Sequence, residues 1–125
     1  NWYLYGLLTI IFQLGKFYDL KLPLVSGAAI KFDGQVSVFD FRAKTSPCYN
    51  CLFPSADKEQ NLKCSDHGVF SPLVGLVGSI QAGEAIKVLL NIGTSLTGKL
   101  LLINHKDTNF KTLKIQKDNL CDICS

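Results

Sequence analysis

Residues 22–41 read LPLVSGAAIKFDGQVSVFDF, and the fold of the chain turns on them. Leu24 and Val25 lead into an apolar run over residues 28–32. Asp33-Gly34 has the composition of a two-residue type I′ turn, whose central residues need positive φ. Residues 35–41 then return with β-branched and aromatic side chains, the composition of a strand. Val36 and Val38 share one face, and Phe39 and Phe41 share the other. Both faces are apolar, so the second strand of this hairpin is predicted to be covered on both sides.

Working outward, residues 43–67 show no periodic pattern and hold Pro47, Pro54, Asp57, Lys58 and Glu59. A loop of that length is usually functional or mobile. A helix is predicted after it, with Ser71 as its cap and Pro72 in its first turn, where a missing N–H costs nothing. Leu73, Leu76, Val77 and Ile80 recur at helical spacing, and Ala85, Ile86, Leu89 and Leu90 continue it. Gly93 is the expected stop. Only Gln81, Glu84 and Lys87 interrupt the apolar surface, so the helix is expected to be central, with those three on its wet side. Gly75 and Gly78 lack the context of a phosphate-binding loop and are read as positions of close packing. A second hairpin closes the sequence: GKLLLIN, a polar turn around residues 106–109, then FKTLKIQ.

Two cysteine pairs stand out. SPCYNCLFP places Cys48 and Cys51 three positions apart, and NLCDICS does the same with Cys121 and Cys124, with 69 residues between Cys51 and Cys121. Two such knuckles supply four thiolates, which suits the tetrahedral preference of Zn²⁺ and leaves no position for water, so the site would be structural. A redox dithiol or two local disulfides are the alternatives. A redox pair of the thioredoxin kind opens a helix. Pro54 follows the first pair closely, and the second lies next to the last residue, so neither is expected to sit under one. The fifth cysteine, Cys64 in KCSDHGVF, is either an inert thiol or a reactive one, with Lys63 and a helix start nearby to favour the thiolate. His67 follows Cys64 at a metal-ligand spacing, but two ligands make a poor zinc site. His105 is expected to be an ordinary surface or hydrogen-bonded histidine.

At 125 residues the chain is one domain or part of one, and 47% hydrophobic residues are enough for a core. Twelve lysines and Arg42 are scattered and the net charge is only +3, so no basic stripe argues for nucleic acid. The absence of methionine points to a processed product, a fragment or a truncated reading frame. The opening NWYLYGLLTIIFQLG is apolar but too short for a membrane span and lacks the flanks of a signal peptide. An odd number of cysteines, in pairs, favours a reducing cytoplasm and metal ligation.

The order of these features resembles the ThiF/MoeB/HesA family: PLVSGAAIKFDGQVSVFDF, then SPCYNCLFP, then CSDHGVFSPLVGLVGSIQAGEAIKVLL, then GKLLLI, then CDIC. The resemblance runs from about Leu22 to Ser125. It implies an α/β fold: the C-terminal half of a Rossmann-like ThiF-type domain, with strand hairpins, one central helix and a four-cysteine zinc site at Cys48, Cys51, Cys121 and Cys124. It further implies an adenylyltransferase that uses ATP and Mg²⁺ to activate the C-terminal Gly-Gly of a ubiquitin-like sulfur carrier such as ThiS or MoaD. The enzyme would be a cytoplasmic homodimer, with no nucleic-acid or membrane partner. Cys64 matches the thiol of the family's crossover loop, within residues 43–70, and is the candidate catalytic residue.

Residues 1–21 depart from the family pattern. They contain neither its Gly-rich nucleotide loop nor its Asp-Asn turn, and they read as an atypical apolar segment, as after a frameshift or a changed start. ATP and Mg²⁺ are therefore not expected to bind this chain alone. The alternatives to a part of an enzyme are a zinc-stapled, carrier-binding pseudoenzyme and a non-functional remnant.

Overall fold

The computed structural model describes residues 21–42, 46–48, 51 and 68–121. Four strands form one antiparallel sheet: β1 (Leu24–Ile30), β2 (Asp33–Phe39), β3 (Lys99–Asn104) and β4 (Asn109–Lys114), adjacent in chain order. One helix, α1 (Ser71–Leu90), enters between β2 and β3 and packs on β1 and β2. The α/β character, both hairpins and the helix over residues 71–90 agree with the sequence reading. Among the described residues the sheet has no parallel strand pair.

The first hairpin is built differently from its expected form. Ile30 pairs with Asp33, so the turn residues are Lys31 and Phe32, and Lys31 carries the left-handed conformation at φ 52°. Asp33 and Gly34 are already in β2. Gly34 is needed there for another reason. A Cβ on it would lie 2.9 Å from Val77 Cγ2 and 3.0 Å from Leu73 Cδ1, so the missing side chain lets α1 settle on the sheet. Gly34→Ala is expected to push the helix off this seam and cost about 1–3 kcal/mol, the range for overpacking. A shift of the urea midpoint would measure it.

β2 is covered on both sides, as its sequence requires. Val36 packs with Leu73, Val77 and Ile103 under the helix. Phe39, on the opposite face, packs with Phe41, Cys48 and Cys121. One apolar layer therefore seats the helix and the other walls the cysteines.

The helix departs from expectation at four places. Phe70, not Ser71, is the N-cap, and no side chain caps it; Pro72 does lie in the first turn. The helix stops at Leu90, with Asn91 in the left-handed conformation at φ 52°, ahead of Gly93. Nothing lies within 4 Å of a Cβ placed on Gly75 or Gly78, so neither is a point of close packing. Finally, Glu84 is buried at 7% exposure, while Val74, Ile86, Leu89 and Leu90 are exposed, Leu89 by 74%. Glu84 is tolerated inside because both its oxygens are engaged. Oε2 accepts the Leu96 N–H at 2.9 Å, and Oε1 meets Lys87 Nζ at 2.6 Å. Lys87 in turn donates to Thr94 O. The two charges pin the connection after α1 to the helix, and the outer face is left apolar. By length and hydropathy α1 would pass for a membrane span, but its inner face is seated on the sheet.

At the other end of the sheet, the segment before α1 adds to the first hairpin. Lys31 N–H donates to Gly68 O, and Phe70 N–H donates to Lys31 O. The Phe70 ring then packs between Phe32, tilted, and His105, edge to face, with ring centroids 5.1 Å away in each case. His105 is thus half-buried, with its ring packed against Phe70. It begins the β3–β4 turn, its N–H donates to Phe32 O, and its buried Nδ1 has no hydrogen-bond partner.

Candidate metal centre

Cys48 and Cys51 come from the segment that follows β2, and Cys121 from the turn that follows β4. Because β2, β3 and β4 lie side by side, those two segments are brought together across 73 positions of sequence. Cys48 is 2% exposed and Cys121 3%, both against Phe39 and Phe41. Cys51 is partly buried at the rim and stands in helical conformation, which the sequence reading did not foresee.

The sulfurs face one another. Cys48 Sγ lies 3.8 Å from Cys51 Sγ and 3.5 Å from Cys121 Sγ, and all three fall within 4.8 Å of one another. None of the three is in a disulfide. Thiolates around a tetrahedral ion at about 2.3 Å would stand about 3.8 Å apart. The three positions therefore fit edges of such a tetrahedron, and the group could hold a metal ion.

Backbone geometry supports each sulfur. Cys51 N–H donates to Cys48 O at 3.1 Å, closing the first knuckle. In the second, Cys121 N–H donates to Asp118 O, and Leu120 N–H donates to the Asp118 carboxylate at 2.9 Å. Asp118 N–H points at Cys51 Sγ from 3.5 Å, so one residue both shapes the second knuckle and touches a sulfur of the first. Donors to a ligand atom fix its orientation and tune its charge. Asp118 escaped the sequence reading. The available signal was an aspartate three positions before a cysteine, a common turn former. Cys64, His67 and Cys124 lie outside the described residues.

Nearby, Arg42, the single arginine of the chain, is held by Asp40 through two contacts, Nε to Oδ1 at 2.9 Å and Nη2 to Oδ2 at 2.8 Å. That hydrogen-bonded guanidinium keeps the Asp40 carboxyl below its usual pKa range. The fork best suited to a phosphate is thereby already occupied.

The chain that builds this sheet and gathers these sulfurs belongs to a known class, the ThiF family, whose sequence profile matches residues 14–123. Its relatives are more particular. It is 41% identical over 107 residues to the molybdopterin-synthase adenylyltransferase of Salmonella typhimurium, covering 86% of this chain and 42% of that protein. It is 42% identical over 109 residues to the sulfur carrier protein adenylyltransferase of Thermus thermophilus, covering 84% and 40%. It is 42% identical over 107 residues to the adenylyltransferase and sulfurtransferase MOCS3 of Caenorhabditis briggsae, covering 84% and 26%. The chain thus spans no more than about two fifths of the length of these relatives. Among solved structures, Escherichia coli MccB with ATP superimposes at a TM-score of 0.71 over 93% of this chain and 35% of that one. At 15% identity this is a likeness of fold.

Proposed function

We propose that this chain is the C-terminal part of an adenylyltransferase that activates the C-terminal Gly-Gly of a ubiquitin-like sulfur carrier, and that it works with a separate ATP-binding half. The observation that carries this reading is the identity of about two fifths, over nearly the whole chain, to molybdopterin-synthase and sulfur-carrier adenylyltransferases. The part runs from about Leu22 to Ser125 and completes a Rossmann-like domain, with the crossover segment inside the loop 43–70 and Cys64 as the thiol over the carrier tail. The intact enzyme would be a cytoplasmic homodimer.

In this reading the metal is a structural Zn²⁺, held by Cys48, Cys51, Cys121 and Cys124. The sulfur spacing supports it, as does the burial of Cys48 and Cys121 behind phenylalanines. Bound there, the ion would supply a cross-link rather than a reaction. Phe39 and Phe41 would exclude water from the sulfurs, and Asp118 N–H would orient Cys51. ATP and Mg²⁺ would belong to the other half, since residues 1–21 contain neither the family's Gly-rich nucleotide loop nor its Asp-Asn turn. The bare outer face of α1 also suits a part that packs against more protein, because exposed apolar surface of that kind marks a contact.

The test is reconstitution. The chain is mixed with a nucleotide-binding half from a ThiF-family enzyme, a carrier ending in Gly-Gly, and Mg-ATP. Carrier-dependent exchange of pyrophosphate into ATP is expected, with no exchange from either half alone. Exchange absent from every pairing, with complex formation verified by gel filtration, would sink the proposal.

A further inference from the structure

We propose that the open edge of β4 binds an extended, acidic peptide segment of another protein, which adds to the sheet as a fifth strand. β4 is the last strand of the sheet, all six of its residues are exposed, and no described residue pairs with its outer side. Which backbone groups point outward follows from the ladder. Ile115 N–H donates to Gly98 O at 2.8 Å, toward β3. In an antiparallel pair inward and outward groups alternate along the strand. Leu113, Lys111 and Asn109 therefore also turn toward β3, and Phe110, Thr112 and Lys114 present their N–H and C=O to the open side. Three residues with free donors and acceptors are a template for an added strand.

The charge on this edge decides what can use it. Lys114 stands directly opposite Lys99 in the register, a like-charge pair of the kind that destabilises a sheet. Neither they nor Lys111 has an ion-pair partner among the described residues. Lys99, Lys106, Lys111 and Lys114 against Asp107 give the β3–β4 hairpin a net +3, equal to the formal charge of the whole chain. A second copy of β4 would bring the same lysines to the shared edge and add like charge there, which disfavours self-pairing. A segment carrying carboxylates at alternate positions would instead relieve the Lys99–Lys114 repulsion from one face of the sheet, or meet Lys111 on the other. Lysines that served only to keep the edge solitary would give no affinity for such a segment.

The probe is a fluorescein-labelled peptide of alternating glutamate and valine, titrated with the full chain and read by anisotropy. Its counterpart has every valine replaced by proline, keeping the charge and removing those N–H donors. The first peptide is expected to bind, and the second to bind on the order of tenfold more weakly, or worse, because it cannot complete the ladder. Lys111→Glu with Lys114→Glu should weaken the first peptide at least about tenfold, since attraction becomes repulsion. Thr112→Pro removes one outward N–H and no inward bond, and should act like the proline peptide. If that variant melts below the parent, the peptide pair on the parent chain decides alone. No binding of the alternating peptide, equal binding of the two peptides, or indifference to the lysine reversals would each overturn the proposal.

Discussion

Replacing Cys48 with serine is expected to release the metal and unfasten the two knuckles from each other. Cys48 is the sulfur that lies within 3.8 Å of both Cys51 and Cys121. A hydroxyl there is a poor zinc ligand and leaves a buried polar group beside Phe39 and Phe41. Apparent binding energies of structural zinc reach about 10–16 kcal/mol in small peptides, so even a part of that, in a domain with its own core, is large against a total stability of about 5–15 kcal/mol. Mass spectrometry of the native protein should find about one bound zinc in the parent, as for a single tetrahedral site, and little or none in Cys48→Ser. The melting temperature should fall, and a chelator should lower the parent toward the variant. A metal-free parent, or a variant that melts like it, would refute the clip.

Leu73→Ala should have the second largest effect, and for an unrelated reason. Leu73 is fully buried and joins Val36, Val77 and Ile103 where α1 meets the sheet. Truncation there leaves a cavity between two elements that cannot both relax, at about 2–5 kcal/mol. Its neighbour Val74 is 49% exposed, and Val74→Ala should change stability by no more than about 0.5 kcal/mol. Denaturant titration of the pair checks both the face of the helix and the size of the effect. Similar losses in the two variants would mean that the helix is seated differently. If the outer face of α1 packs on another part of an intact enzyme, Val74→Ala should become costly only in that larger assembly.

Much of this was legible in the residues. Alternation over 22–41 and the apolar runs at 99–104 are enough to find both hairpins, because a strand with two apolar faces must be covered on both sides. The cysteine spacing pointed to a shared site across 69 intervening residues, and the structure gathers the three described sulfurs. What escaped were decisions made by tertiary contact. Asp33-Gly34 looks like a turn, yet the helix uses the bare Cα of Gly34, and Lys31 accepts the left-handed conformation instead. Glu84 looks like a residue facing water; the Leu96 N–H, twelve positions away, joins Lys87 in making its burial tolerable. Asp118 touches Cys51 through its backbone N–H, a contact that no residue type announces, although its carboxylate also shapes the second knuckle. The uncovered outer face of α1 was hidden for the same reason: periodicity reports how apolar a helix is, not how much of it finds a partner.

The sulfur contact between Cys48 and Cys121 also fixes how the molecule would carry tension. With an ion holding them, a pull on the two ends runs from the stretch before Cys48 straight across to Cys121. The loop that they close, 73 positions from one cysteine to the other and with α1, β3 and β4 in it, lies outside the line of force. Threading such a chain through the pore of an unfolding motor would stall at the sulfurs until they let go of the metal.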